Sequence, residues 1–252
     1  MNPDDAANRA YYDAFSERYD RGRNLGYHRM VDDLEFDVVE PYAKGKRVLE
    51  AGCGTGLLLA RLNRVAQSAW GVDLSAGMAR GAQDRGLNVV LGSLTRLPFR
   101  DGAFDLVCSF KVLPHVQQVR RALAEITRVT IPRGYIVVEF YNPWSLRYLA
   151  KRLAGPRSTS SRRTEADVFT RWDAPWSLRD HLPPNVEMVA LRGVRVLTPT
   201  AAVYRSPVLA RFFFAMEHKA LSSRIRYFGG FLIAVLRKQA RPLARGGESA
   251  AT

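Results

Sequence analysis

The sequence predicts an α/β fold, a mostly parallel sheet with helices on both faces. Three observations carry this. Strand-like apolar runs alternate with helical runs from residue 46 to residue 140. The first strand runs directly into Gly52, Gly54 and Gly56, which places three glycines on a strand-to-helix turn. The 252 residues, 47% of them hydrophobic, suffice for one full core with an insertion rather than two independent domains.

Taken in order, residues 5–20 form a helix that carries Tyr12, Phe15 and Tyr19 on one face, with Tyr11 beside them. A second helix over 27–42 leads to strand 46–50, the glycine turn and helix 56–66. Strand 68–73 follows, then a helix capped by the Ser75 hydroxyl. Strands 88–91 and 106–110 flank the turn of Leu97, Pro98, Phe99 and the run 101–105. Helix 116–129 presents Val119, Leu123, Ile126 and Val129 to the core. Pro132, Arg133 and Gly134 then turn the chain into strand 135–140. A short basic amphipathic helix over 145–153 sets Leu146, Leu149, Ala150 and Leu153 on one face beside Arg147, Lys151 and Arg152. A polar loop at 155–164, a strand at 186–197, a Phe-rich helix at 207–221 and a last strand at 230–236 complete the fold. The tail 239–252 reads as disordered, and there are no internal repeats.

The glycine turn lets backbone approach a ligand closely, and the helix after it offers unpaired N–H groups. A dinucleotide fingerprint needs its third glycine at position 57, where Leu57 stands; this argues against NAD. Glu50 closes the first strand, where a carboxylate repels a pyrophosphate but suits an ammonium or sulfonium. Asp73 ends the second strand, 21 residues after Gly52, where a carboxylate can accept both ribose hydroxyls. Together these describe S-adenosylmethionine.

Over about residues 10–142 the sequence resembles the class I S-adenosylmethionine-dependent methyltransferases, in the branch with the ubiquinone/menaquinone and other small-molecule methyltransferases. The resemblance implies a Rossmann-like fold with a mostly parallel seven-stranded sheet, an N-terminal helical lid and an insertion after strand 5. The chain then divides into a lid (1–42), a cofactor-binding core (43–142) and, beyond the reach of the resemblance, segments read from their own residues: a basic insertion over the acceptor site (143–182), the C-terminal part of the sheet (183–238) and a tail (239–252). By the same resemblance Tyr12 and Tyr19 belong to a lid over the cofactor, and Leu74 and Met78 pack on the adenine and ribose. Ser93, followed by Leu94, stands where many relatives have an aspartate that accepts from the adenine amino group; serine accepts too, but without charge. Phe110 and Lys111 end the fourth strand, where ligands bind in open α/β sheets. The cofactor-binding set is thus Tyr12, Tyr19, Glu50, Gly52, Cys53, Gly54, Gly56, Asp73, Leu74, Met78, Ser93, Leu94, Phe110 and Lys111.

Composition bounds the remainder. No apolar run has the length of a membrane span, and the first residues lack the regions of a signal peptide, so the sequence predicts a cytoplasmic protein. Cys53 and Cys108 have no metal-ligand spacing and read as small buried thiols. The net charge of +14 is concentrated late: residues 141–252 hold 19 Lys and Arg against 7 Asp and Glu. Such a surplus suits an acidic or lipid-like acceptor, a weak contact of the basic insertion with an anionic membrane surface, or nucleic acid; solvated surface charge is the plain alternative.

Methyl transfer from a sulfonium is an in-line displacement with a good leaving group, so alignment and desolvation matter most. A phenol, alcohol or enol-like carbon also needs a base, and His115, just beyond the fourth strand, is the candidate catalytic residue by type and place. Structural packing is the alternative for His115; Glu139 and Asn142 are the other candidates. The sequence argues against a nucleic-acid acceptor, because Phe110, Lys111, Val112 and Leu113 stand where amino-methylating nucleic-acid enzymes carry a Pro-Pro-aromatic motif. An RNA methyltransferase, a lipid-headgroup methyltransferase and a non-catalytic cofactor-binding scaffold are the other readings.

Overall fold

The computed structural model describes residues 3–21, 23, 26–154, 158–160, 163–164 and 169–240. Helices α1 (Pro3–Tyr19) and α2 (Gly26–Ala43) precede a sheet built from β1 (Arg47–Ala51), β2 (Ser68–Asp73), β3 (Asn88–Leu91), β4 (Phe104–Ser109), β5 (Thr130–Tyr141), β6 (Val186–Val194) and β7 (Phe231–Lys238). Between strands lie α3 (Leu57–Val65), α4 (Ala76–Gln83), α5 (Val119–Val129), α6 (Leu146–Ala154) and α7 (Pro207–Ala220). A two-stranded hairpin, Ser158–Ser160 with Arg163–Thr164, stands apart from the sheet.

The strand order is 3-2-1-4-5-7-6. β1 to β5 are parallel, and β7 inserts antiparallel between β5 and β6. This is the expected seven-stranded, mostly parallel class I methyltransferase sheet. Because both faces are covered, alternate residues of one strand feed different cores. Val48 packs with α2 and α3 residues such as Val39 and Leu62 on one side, while Leu49 packs with Leu123 and Ile126 of α5 on the other. At the opposite end of the sheet from the glycine turn, Arg47 ties β1 to β4 through paired 3.0 Å bonds to Asp105.

The chain runs outward from β1 to β3 and then crosses back to β4, so the order reverses between β1 and β4. Ligands bind in the crevice at such a reversal, beyond the carboxyl ends of the strands. Gly52 and Phe110 stand at this point.

Several boundaries differ from the sequence reading. The fifth strand starts at Thr130 rather than residue 135, because Pro132–Gly134 forms an irregularity inside it, with Arg133 at φ 64° and a register shift against β4. α5 starts at Val119; Leu113–His115 forms a separate 3-10 turn with Pro114 near its start. β6 ends at Val194, where Arg195 adopts φ 58° and breaks the extended run. Residues 241–252 of the tail and half of the 155–164 loop, Arg157 and Arg162 included, lie outside the described residues.

Candidate active site

The glycine turn is held from beneath by the Val72 carbonyl, which accepts from Gly52 N at 2.7 Å and Cys53 N at 3.1 Å. Gly52, Gly54 and Gly56 have φ of 82°, 54° and 82°, a conformation that side-chain-bearing residues rarely take. Asp73 completes the turn: its Oδ2 accepts from Gly54 N at 2.8 Å and its Oδ1 from Ser75 N at 2.9 Å. Burial lifts the Asp73 carboxyl above its ordinary range, against the pull of these hydrogen bonds. The Ser75 hydroxyl caps α4, accepting from Met78 N at 3.1 Å.

A cavity of about 310 Å³ opens on this turn. Of the sequence-predicted residues it brings together Tyr12, Tyr19, Gly52, Gly54, Asp73, Leu74, Met78, Ser93, Leu94, Phe110, Lys111 and His115. Glu50 and Cys53 line a neighbouring cavity, which shares Gly52, Phe110, Lys111 and Tyr19 with the first. Gly56 lines neither cavity. It is the N-cap of α3 in the left-handed region, and a Cβ there would meet Leu87 Cδ1 at 2.6 Å, so its role is to let α3 start.

α1 covers the cavity, and it and the residue that follows it are tied down at three places. Asn8 Nδ2 donates to the His115 carbonyl at 2.9 Å. Asp13 Oδ1 accepts from the Ser75 hydroxyl at 2.6 Å and from Gly77 N at 3.0 Å. Asp20 accepts from the Thr55 hydroxyl at 2.6 Å and pairs with Arg85. The Tyr19 ring lies over the turn, 3.8 Å from where a Gly54 Cβ would be. Burial, the largest effect, pushes the Tyr12 and Tyr19 phenols up, so both stay neutral.

A charged cluster sits under the other wall. Lys111, at φ 59°, reaches Asp32 Oδ1 and Glu35 Oε2 of α2, each at 2.8 Å. Burial opposes its charge, but Glu35 and Asp32 prevail and raise its pKa. Glu50 is 4% exposed, and its Oε2 has no hydrogen-bond partner. Burial above all, then Asp73 and Glu35, raise its pKa well above the ordinary value. Glu139 is also raised, by burial and then by Glu35, and it does not line the cavities; Asn142 spends its amide on the Tyr227 and Gly229 carbonyls.

Ser93 accepts from Thr95 N at 3.2 Å and shares a 2.9 Å hydrogen bond with the Thr95 hydroxyl. His115 Nδ1 lies 2.9 Å from the Phe169 carbonyl. A carbonyl only accepts, so Nδ1 carries the proton and the lone pair of the neutral ring is on Nε2. Both cysteines are buried and free.

α6 is turned opposite to its sequence pattern. Leu146 and Leu149 are 50% and 54% exposed, while Arg147 and Lys151 line the cavity. Periodicity places Leu146 and Leu149 on a common face but does not say which face is covered. Here aromatic rings attract the guanidinium inward: Arg147 lies 4.4 Å from the Tyr141 centroid, 4.5 Å from Phe231 and 5.1 Å from Trp172. Sequence reasoning also missed Arg23, Thr170, Tyr27 and Arg195. Asn8 had a usable signal, since it lies one helical turn before Tyr11 and Tyr12.

Comparison with known proteins identifies the family and the fold. A family model described as a methyltransferase domain matches residues 49–138. A demethylmenaquinone methyltransferase of Thermobifida fusca is 35% identical over 147 residues, covering 54% of this chain and 61% of that protein. The chain thus spans less than two thirds of the length of this relative. A protein of the same name from Mycobacterium sp. (strain KMS) is 36% identical over 181 residues, 67% of this chain and 76% of that one. In fold, the chain is similar to a methyltransferase structure from Thermotoga maritima, with a TM-score of 0.67 at 20% identity, covering 90% of this chain and 98% of that one. The chain belongs to the S-adenosylmethionine-dependent methyltransferases. Among the described residues no helix is long and apolar enough to cross a membrane.

Proposed function

We propose that this protein transfers a methyl group from S-adenosylmethionine to a small organic acceptor. One observation carries the reading. The glycine-turn cavity adjoins a second cavity of about 540 Å³, and the two share Arg23, Lys111, Tyr141, Arg147 and Lys151. A cofactor in the first and an acceptor in the second would therefore meet at a common wall. The names of the Thermobifida and Mycobacterium relatives, which point to a quinone-type acceptor, favour a small molecule over nucleic acid.

The residues present suit the cofactor. Glu50 offers a buried carboxyl with an orphaned oxygen, which an ammonium group answers. Asp73 offers carboxylate oxygens at the strand end, and Gly52 and Gly54 leave the cavity floor free of Cβ atoms. In this reading Asp73, Leu74, Met78, Ser93 and Leu94 hold the nucleoside, and Glu50, Gly52, Cys53 and Gly54 surround the amino-acid end. When bound, the cofactor supplies an electrophilic methyl group on a positively charged sulfur.

The chain's own contribution is orientation and water exclusion. Tyr12, Phe15 and Tyr19 of α1 close the cavity with aromatic surface, Phe110 adds to its wall, and Tyr141 stands in the wall common to both cavities. His115, its tautomer set by the Phe169 carbonyl, takes the acceptor's proton on Nε2. The test is a methyl-transfer screen with radiolabelled donor against quinols, phenols, aromatic acids and RNA. Label in a small-molecule product, lost in His115→Ala with cofactor affinity unchanged, is expected; label in RNA alone contradicts the reading.

A further inference from the structure

The second cavity has an unusual wall. Arg23, Lys111, Arg147, Lys151 and Arg195 line it, and no Asp or Glu does. Two of these cations are already neutralised from behind: Lys111 by Asp32 and Glu35, and Arg23 by Asp32 at 3.6 Å. Arg147 and Arg195 are not. Arg147 Nη1 and Arg195 Nε are buried with no hydrogen-bond partner. A buried guanidinium donor without an acceptor is costly, so its persistence calls for an explanation.

Tyr27 hydrogen-bonds Arg195 and Glu217 favours its charge, yet Arg195 Nε and Arg147 Nη1 still lack an acceptor. Arg147 lies against the rings of Tyr141, Phe231 and Trp172, which supply no acceptor to Nη1. Arg195 sits at φ 58°, one of three non-glycine residues with positive φ among those described, and Lys111 of the same cavity is another. Such backbone is strained and persists only where the surroundings enforce it. Glu217 of α7 enforces it here. Its carboxylate, fully buried, accepts from Val196 N, Leu197 N, Thr198 N and the Thr198 hydroxyl at 2.7–2.9 Å. Burial drives the Arg195 pKa down, with Arg147 adding to this against Tyr27. The same wall carries the apolar surfaces of Val31, Ala150 and Phe231.

We propose that the second cavity is an oxyanion-binding subsite, in which Arg147 and Arg195 clamp a carboxylate or phosphate group carried on an apolar acceptor. The anion supplies the acceptors that the two guanidinium groups lack, and the shared wall of Lys111 and Tyr141 directs the rest of the acceptor toward the glycine-turn cavity. This rests on reading the first cavity as the cofactor site. It deepens that reading by assigning the acceptor's chemical class.

The test is calorimetric titration of benzoate, phenyl phosphate and neutral benzamide into the full chain, with and without S-adenosylhomocysteine. Benzoate or phenyl phosphate should bind at least about tenfold more tightly than benzamide, the scale of hydrogen bonds to a charged group. Arg147→Met and Arg195→Met should each remove most of that preference, and Arg195→Met, whose side chain lines the second cavity and not the first, should hold S-adenosylhomocysteine affinity within about twofold of wild type. The wild-type comparison of anion with amide needs no variant, so it stands if either substitution fails to fold. Equal binding of benzoate, phenyl phosphate and benzamide overturns the proposal, and so does an anion preference untouched by both substitutions. Loss of S-adenosylhomocysteine binding in step with benzoate also overturns it, because the arginines would then serve the cofactor's carboxylate. Failure of S-adenosylhomocysteine to bind wild-type protein contradicts the cofactor reading instead, and the arm without it reads the anion preference independently.

Discussion

Replacing Gly52 by alanine asks two separate things of the glycine turn. The residue sits at φ 82°, so a Cβ meets the local penalty of left-handed backbone, about 1–2 kcal/mol. It also has no room: an ideal Cβ would lie 2.8 Å from Val112 Cγ1 and closer still to Cγ2. Overpacking of that kind costs about 1–3 kcal/mol. The sum is a loss of roughly 2–5 kcal/mol. Urea denaturation followed by circular dichroism measures it. The two parts separate in a double-mutant cycle, because Val112→Ala removes both clashing methyls but leaves the backbone as it is. The double variant should recover about 1–3 kcal/mol relative to the sum of the single changes, and the remaining deficit is the backbone contribution plus the residual 3.0 Å contact with the Cβ of residue 112. A Gly52→Ala protein within about 0.5 kcal/mol of wild type, or a cycle without coupling, would refute this account of the turn.

Asp13→Ala removes the acceptor for the Ser75 hydroxyl and Gly77 N, so α1 should be cut by trypsin at least about tenfold faster, with S-adenosylhomocysteine restoring protection; an unchanged rate means α1 is no lid. Burial, then Asp73 and Glu35, hold the folded Glu50 pKa above its ordinary 4.5, so its contribution to stability is fully present below that value and is lost as pH rises through the raised one. A cationic ligand favours the ionised form, so cofactor binding should release a proton and strengthen with pH across the same window. Calorimetry in two buffers of different ionisation enthalpy detects this release; Glu50→Gln should abolish it, and its absence in wild type contradicts the pairing.

What the sequence made legible was local or periodic. Gly52, Gly54 and Asp73 sit within one βαβ unit, and their spacing alone places them together. The strand and helix alternation likewise carried the sheet, because each element's apolar pattern reports its own burial. The face that α6 turns inward was not legible. Its leucines and basic residues fit either orientation, and the choice depends on Tyr141, Phe231 and Trp172 from three other segments. The Lys111 cluster escaped for the same reason, since Asp32 and Glu35 look like ordinary surface acids of α2 until β4 delivers a cation beside them. Arg195 gave no signal at all, because its conformation is set by Glu217 some twenty residues later.

The most direct test of the central claim is calorimetric titration of S-adenosylhomocysteine into the wild-type chain and into Asp73→Ala. The account predicts one site per chain in wild type, no competition from NAD, and a loss in Asp73→Ala of about 2 kcal/mol, roughly thirtyfold in Kd, because the carboxylate both steadies the turn and accepts from the ligand. Wild-type protein that does not bind, or an Asp73→Ala variant that binds within twofold of wild type, would contradict it.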